Sequence, residues 1–167
     1  MKAIQRYYLK NYMTILISSI HYCPVKSISF QSVESCEIKK NFGILNDRMF
    51  AFSRSVDLEK ATLIEKNPNE RKLNNFLTLK NSSVLNRYNF IYISGKLILT
   101  IDDKELISIS ANDPTQRVLL SNKLIELEGS LIKPIFLLKN KNFPFYDTSH
   151  SNNVFNSMSL INLNSIE

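Results

Sequence analysis

The stretch ISSIHYCPVKS, residues 17–27, is an apolar run that ends at a proline, with a lysine and a serine directly behind it. A second stretch, GILNDRMFAFS at residues 43–53, is a glycine-led turn that leads through Asp-Arg into another apolar run. Because short apolar runs bounded by turn residues favour buried strands, each stretch predicts a strand with a cationic side chain at one end. We expect the rest of the chain to form a scaffold around these two stretches.

The composition is typical of one globular domain. The 167 residues are 44% hydrophobic and 22% charged, which suffices to bury a core without disulfides or metals. No apolar run approaches the ~20 residues of a membrane-spanning helix, so no membrane role is expected. The net charge of +6 permits an anionic partner, but the basic residues are scattered, which argues against nucleic acid.

Cys23 and Cys36 define neither a zinc site nor a redox motif, because no further cysteine or histidine lies at the required spacing. Two such thiols predict a cytoplasmic location. We interpret both cysteines as small buried residues, the alternative being a nucleophilic Cys23 activated by Lys26. His21 and His150 are isolated and are interpreted as structural or exposed.

The N-terminal segment contains Lys2, Arg6 and Lys10, which precede the apolar run Met13–Ile20 as basic residues do in a signal peptide. No small-residue cleavage site follows, however. An organelle transit peptide and a translation start at Met13 are the other interpretations. We predict a loose arm over residues 1–13.

Three short strands joined by two-residue turns form the clearest local pattern. Ser94-Gly95 and Asp102-Asp103 suit tight hairpins, so residues 89–110 predict an antiparallel meander. Short strands at regular spacing favour a barrel or a sandwich, and we predict a mainly β, small barrel-like domain with one clear α-helix. The other predicted strands are 14–22, 30–38, 47–53, 131–138 and 154–162, with the polar residues 55–75 as a long connection.

The one clear helix is marked at both ends. Asp113 is placed as its N-cap, Pro114 as its first residue and Gly129 as its C-terminal cap. The apolar stripe expected to face the core consists of Leu120, Leu124 and Leu127.

Lys26, Ser27 and Arg48 are the candidate anion-binding residues. The Lys26 ammonium and the Ser27 hydroxyl can both donate to phosphate oxygens. The planar fork of Arg48 suits bidentate phosphate recognition, and Asp47 is placed to orient it. The alternative interpretation is that all three are ordinary solvated surface residues. The sequence contains no glycine-rich phosphate loop and no hydrolase motif, so the residues alone specify no reaction.

Four segments, in order along the chain, resemble the N-terminal β-barrel domain of MOSC proteins, the molybdenum cofactor sulfurase C-terminal superfamily. Residues 23–27, CPVKS, are similar to the Tyr-Pro-Val-Lys-Ser that ends the opening strand in that family. Residues 43–50, GILNDRMF, match its Gly-x-x-x-Asp-Arg-x-Phe pattern. Residues 76–80, FLTLK, resemble a third family element, and 159–165, SLINLNS, the junction where the barrel leads into the MOSC core.

The resemblance implies a molybdenum cofactor, molybdopterin, whose phosphate is contacted by Lys26, Ser27 and Arg48. The resemblance also implies two properties of the wider family, the binding of a molybdenum ion and the binding of pyridoxal phosphate. Complete members are expected to carry sulfur or to reduce N-hydroxylated substrates. The core with the metal-ligating cysteine would lie beyond Glu167, so we expect this chain by itself not to be catalytic.

The resulting organisation is a loose arm at 1–13, a barrel-like domain at 14–153 and the start of a truncated core at 154–167. The surface left bare without that core predicts association with a separate core half or with a second copy. The alternative function is a non-catalytic basic β-barrel module that binds RNA or a protein partner. It requires a broad basic face with exposed aromatic residues, drawn from Tyr88, Phe90 and Tyr92.

Overall fold

The protein is described by a computed structural model that covers residues 17–40, 42–54, 56–129, 134–148 and 155–156. The predicted mainly β fold is confirmed, with short strands and two helices in the described ranges. Residues 1–16 and 157–167 lie outside them, so the predicted arm and the end of the last predicted strand are not described. The elements in order are β1 (Ile20–Tyr22), β2 (Gln31–Val33), β3 (Ile38–Lys39), β4 (Gly43–Ile44), β5 (Phe50–Arg54), α1 (Leu58–Lys66), β6 (Asn89–Ile93), β7 (Lys96–Ile101), β8 (Lys104–Ser110), α2 (Pro114–Glu128), β9 (Ile135–Lys139), β10 (Asp147–Thr148) and β11 (Phe155–Asn156).

The described strands form five small antiparallel sheets, and these do not close into a barrel. The meander β6-β7-β8 is the largest sheet, and the pairs β1-β2, β3-β4, β5-β9 and β10-β11 make up the others. The fold is therefore mainly β, as predicted, but it is an assembly of small sheets and two helices.

The meander has the predicted strand limits and turns. Asn89 pairs with Thr100 in the first hairpin, and Lys96 pairs with Ser110 across the second. The central residues of the two turns all have positive φ angles: Ser94 +51°, Gly95 +78°, Asp102 +48° and Asp103 +61°. Positive φ at both central positions is the backbone of a type I′ turn, whose twist matches that of the strands.

Helix α2 begins and ends where its capping residues predict. Asp113 Oδ1 accepts a 2.9 Å hydrogen bond from the Thr115 N–H, and Gly129 has a φ angle of +51°. The Gly129 N–H donates to the Ile125 carbonyl at 2.9 Å, which satisfies one of the free carbonyls at the end of the helix. Of the predicted stripe, Leu120 and Leu124 are buried and Leu127 packs partly buried against the same core.

Helix α1 lies inside the polar segment that we expected to be a long connection. Asp57 caps it, since its Oδ1 accepts a 2.7 Å hydrogen bond from the Lys60 N–H. The helix has only nine residues, of which Ala61 and Ile64 are buried, so it does not stand out from the polar segment around it. The Asp57 cap and Pro68 beyond its C-terminal end are the signals that mark it.

Strand β5 is the centre of the molecule because both of its faces are buried. Phe50 and Phe52 point into one core, shared with the meander and α2, and Ala51 points into a second, shared with α1. Burial on both sides explains why this strand reads as a continuous apolar run. Within the described ranges, neither helix has the length and apolar character needed to cross a bilayer.

Candidate functional site

Backbone hydrogen bonds join the two stretches that carry the candidate residues. The Arg48 N–H donates to the Cys23 carbonyl at 2.6 Å, and the Phe50 N–H donates to the Pro24 carbonyl at 3.0 Å. In the opposite direction, the Lys26 N–H donates to the Phe50 carbonyl at 2.8 Å. Residues 23–26 and 48–50 are therefore neighbours in space, although more than twenty residues separate them in the sequence.

Asp47 links the same two stretches through its side chain and is 4% exposed. Its Oδ1 accepts a 2.8 Å hydrogen bond from the Cys23 N–H. Its Oδ2 accepts a hydrogen bond of 2.8 Å from Arg48 Nε and an ion-pair contact of 2.6 Å from a terminal nitrogen of the same guanidinium. The carboxylate thus fixes the orientation of the arginine.

Arg48 lies in a strained turn and stacks on an aromatic ring. Its φ angle is +48°, a left-handed conformation that costs about 1 kcal/mol for a residue with a Cβ. The guanidinium carbon lies 4.5 Å from the centroid of the Tyr146 ring, and the Phe145 N–H donates to the Arg48 carbonyl at 2.8 Å. The loop at 144–146 therefore packs directly against the turn at 45–48.

Tyr146 carries a buried hydroxyl oxygen with no hydrogen-bond partner among the described residues. Burial raises the pKa of this phenol to about 12, with the charge of Asp47 acting in the same direction and Arg48 opposing it. Buried hydroxyl groups almost always have a partner, so this one is a position that a ligand or a water can satisfy.

Lys26 is not a solvated surface residue, since it is only 3% exposed. Its ammonium donates a 3.0 Å hydrogen bond to the Phe145 carbonyl and lies 5.8 Å from the centroid of the Phe76 ring. Ser27, half-buried, follows with a φ angle of +59°. The lysine is therefore built into the protein beside the same loop that contacts Arg48.

Cys23 is buried, as predicted, and its thiol is hydrogen-bonded to backbone carbonyls. Its sulfur lies 2.7 Å from the Val25 carbonyl oxygen and 3.0 Å from that of Ile28. Burial raises the pKa of this thiol to about 11, and the small opposing effects of Arg48 and Lys26 do not reverse the shift. The thiol stays protonated at neutral pH, so it lacks the thiolate character of a nucleophile.

The other candidates from the sequence are spread over the molecule. Cys36 is only partly buried, so its interpretation as a buried residue is wrong. His21 is exposed and contacts Ser19, whereas His150 lies outside the described residues. No three metal-ligating side chains come together anywhere in the part of the chain that the structure describes.

A cleft of about 610 Å³ opens beside the turn that carries Arg48. Leu45, Asn46 and Met49 of this turn line it. We call it the lysine cleft, because Lys39, Lys139 and Lys141 also line it. Sequence reasoning missed this group because Lys39 lies about a hundred residues before the other two lysines. The close pair Lys139 and Lys141 is the one local sign of a basic surface.

The two aromatic residues at the lysine cleft are Phe42 and Tyr92. The Phe42 ring packs edge-on against Tyr146 at a centroid distance of 6.4 Å. The Tyr92 ring packs edge-on against Phe50 at 5.5 Å. Of the other aromatic residues proposed for an RNA-binding face, Tyr88 and Phe90 are buried.

Comparison with known proteins finds no matching family model, no matching curated protein and no matching solved structure.

Proposed function

We propose that this chain is a non-catalytic binding domain that contacts the phosphate of a molybdopterin-class cofactor, as the N-terminal part of a MOSC-type protein. The observation that supports it best is the pairing of Arg48 with Tyr146. The guanidinium is oriented by Asp47 and stacked on a ring whose hydroxyl has no described partner. A phosphate oxygen beside Arg48 would accept from both groups.

Arg48 is the residue that would contact the phosphate directly. Its planar guanidinium is oriented by Asp47 and stacked on Tyr146, and the Arg48 side chain is 21% exposed, so a bound phosphate can reach it. Asp47 would act as a positioning residue, because its carboxylate holds the guanidinium through Nε and a terminal nitrogen. Ser27 would add a hydroxyl donor next to the buried Lys26.

Lys26 would contribute mainly through its charge. The ammonium is buried and hydrogen-bonded to the Phe145 carbonyl, so it supplies a fixed positive charge beneath the loop at 144–146. Charges in such a low-dielectric position act on nearby anions more strongly than solvated lysines do.

The residues fit the phosphate end of the cofactor rather than its metal end. Cys23 is protonated and bonded to carbonyls, so it lacks the thiolate that would ligate a metal. When bound, the cofactor would supply the molybdenum centre for sulfur transfer or for reduction, and this chain would hold its phosphate.

The alternative, a basic module for RNA or a protein partner, is less well supported. Single-stranded RNA is bound by aromatic platforms on which bases stack. Because Tyr88 and Phe90 are buried, Tyr92 is the one member of the proposed aromatic set that reaches a cleft.

Calorimetric titration of the purified chain with molybdopterin, and with the same pterin lacking its phosphate, tests the proposal. We expect one site per chain that depends on the phosphate. Arg48→Ala should weaken binding at least tenfold, because hydrogen bonds to charged groups are worth about 1.5–3 kcal/mol.

Ser27→Gly keeps the left-handed backbone while removing the hydroxyl, so it should weaken binding by a smaller factor. The matched control is Lys104→Ala, which removes a charge from the exposed first residue of β8. Absence of binding by the folded chain, or equal weakening by the control, would overturn the proposal.

A further inference from the structure

We infer that the lysine cleft is a separate binding site for a small phosphorylated molecule with a flat ring. The inference goes beyond the proposed function, because none of Lys26, Ser27 and Arg48 lines this cleft. The two sites adjoin at the turn at 45–49, which presents Arg48 to one and Asn46 and Met49 to the other, and at the loop at 144–146, where Pro144 lines the cleft and Tyr146 stacks on Arg48.

Lys139 is the central cation of the cleft. It ends strand β9, partly buried, and its ammonium is hydrogen-bonded to Asn112 Oδ1 and lies 6.0 Å from the centroid of the Phe50 ring. Burial lowers the pKa of this ammonium, and the neighbouring cations Arg117 and Lys141 lower it further. A bound anion would relieve both effects, since it offsets the lost hydration and the repulsion.

Glu65 is the carboxylate that opposes this positive charge. Its Oε1 already accepts a 3.0 Å contact from the Arg117 guanidinium and a 3.2 Å hydrogen bond from the backbone N–H of Lys139. Because one carboxylate faces two cationic side chains and a backbone N–H, the charge of Lys139 is not fully compensated.

Lys39 and Lys141 enlarge the positive region. Lys39 pairs with Glu37 at 3.8 Å, but both side chains are more than half exposed, and such pairs contribute little. Lys141 lies on the exposed loop after β9. No aspartate or glutamate among the described residues lines the cleft, so three lysines line it without a carboxylate in the same wall.

The size and remaining surface of the cleft indicate the rest of the ligand. Its volume of about 610 Å³ falls within the ~300–1,000 Å³ of small-molecule sites. Phe42 and Tyr92 give it apolar aromatic surface, and Asn46, Asn112 and Asn142 give it amide donors and acceptors. Ammonium groups beside aromatic rings and amides suit a ligand with a phosphate at one end and a planar heterocycle at the other.

Titration with adenosine 5′-monophosphate, inorganic pyrophosphate and adenosine tests the inference in the full chain. We expect the nucleotide to bind one per chain, pyrophosphate to bind more weakly, and adenosine to show no measurable binding. Lys141→Ala and Lys39→Ala should each weaken nucleotide binding about tenfold, the usual effect of losing one charge-assisted contact. Raising the salt concentration should weaken binding in the wild-type chain.

Lys104→Ala is the matched control, because Lys104 is exposed at the opposite end of the meander from Tyr92 and Asn112. Six residues of strand separate these ends, roughly 20 Å. Its nucleotide affinity should equal that of the wild type. Far-ultraviolet circular dichroism and a thermal melt confirm that each variant is folded.

Three results would overturn the inference: no saturable nucleotide binding, equal weakening by Lys104→Ala, or binding of polyuridylate without binding of the small phosphates. Arg48→Ala separates the two sites. If it weakens nucleotide binding as much as Lys141→Ala does, the cleft is not a separate site. If Arg48→Ala leaves nucleotide binding intact, the cleft is a separate site, and the titration with molybdopterin tests the cofactor proposal independently.

Discussion

Asp47 holds Cys23 in place, since its Oδ1 accepts a 2.8 Å hydrogen bond from the Cys23 N–H. The other oxygen of the same buried carboxylate orients the guanidinium of Arg48. One side chain thereby joins the loop after β1 to the turn before β5 and aims the main candidate for ligand binding. We therefore expect a substitution of Asp47 to affect both the stability of the fold and the proposed binding.

Asp47→Ala should lower the free energy of unfolding by about 2–3 kcal/mol, because it leaves a buried N–H without an acceptor and a partly buried guanidinium without its counter-charge. Asp47→Asn keeps an acceptor for Cys23 and should cost less. Denaturant unfolding monitored by circular dichroism measures both. Glu105→Ala, at an exposed position of β8, should change stability by less than about 0.5 kcal/mol, and an equal loss there would contradict the role of Asp47.

The two thiols should differ strongly in reactivity. Cys23 is 6% exposed and bonded to two carbonyls, whereas Cys36 is partly exposed. With an aromatic disulfide reagent at pH 8, we expect one thiol per native chain to react quickly and the second only after denaturation. Cys36→Ser should remove the fast reaction. A fast reaction that persists in this variant would show that Cys23 is accessible.

Stability should fall in alkaline solution because of Cys23. Folding raises the pKa of its thiol from the ordinary 9.0 to about 11, so the unfolded chain loses this proton first as the pH rises. The stabilisation is therefore complete below pH 9 and is lost between pH 9 and 11, to the extent of roughly 2–3 kcal/mol. Denaturant unfolding of wild type and Cys23→Ala at pH 7.5 and pH 10.5 measures it, and equal pH dependence in both would refute the assignment.

Arg71 fastens the loop at 140–146 to the first helix. Its guanidinium donates to the carbonyls of Phe143 at 2.7 Å, Pro144 at 3.0 Å and Ile64 at 3.1 Å. The guanidinium carbon also lies 4.1 Å from the centroid of the Phe145 ring. Arg71→Ala should therefore lower the unfolding free energy by about 2–4 kcal/mol.

Arg71→Lys should recover little of this loss, because an ammonium lacks the planar fork that reaches several carbonyls at once. Lys72→Ala, at the exposed neighbouring position, is the matched control and should be nearly neutral. Full stability of Arg71→Lys would contradict the fork geometry.

At the second central position of each meander turn, glycine should be more stable than a residue with a Cβ atom. Gly95 has a φ angle of +78° with open space around it, so Gly95→Ala should cost about 1 kcal/mol through backbone strain alone. Asp103 occupies the equivalent position at +61°, so Asp103→Gly should stabilise the chain by up to about 1 kcal/mol. Thermal melts of both variants measure these changes in stability. Destabilisation by Asp103→Gly would show that the Asp103 side chain stabilises the turn.

Local signals account for the parts of the fold that were predicted. The turns Ser94-Gly95 and Asp102-Asp103 define the meander, and Asp113, Pro114 and Gly129 define α2. Each of these features depends on residues a few positions apart, so backbone sterics and capping hydrogen bonds determine it within the segment. Helix α1 was missed because it is only nine residues long and lies within a polar segment.

Pairing between distant segments could not be read in the same way. Strand β5 pairs with β9 across more than eighty residues, and no local pattern names the partner of a strand whose two faces are both buried. The predicted barrel was an inference from strand spacing, which indicates how many short strands exist but not how they join.

The candidate site likewise has features that the sequence determines locally and features that depend on the tertiary structure. The sequence by itself identified the candidate residues within 23–27 and 43–50 by their chemical types. It also determined the tight turns and the capped helix, because these follow from local backbone preferences. Only the tertiary structure decided that Lys26 is buried, that Asp47 aims Arg48 at Tyr146, and that three lysines from residues 39 and 139–141 meet at one cleft. These arrangements depend on which distant surfaces pack together, and burial of the whole core selects that packing.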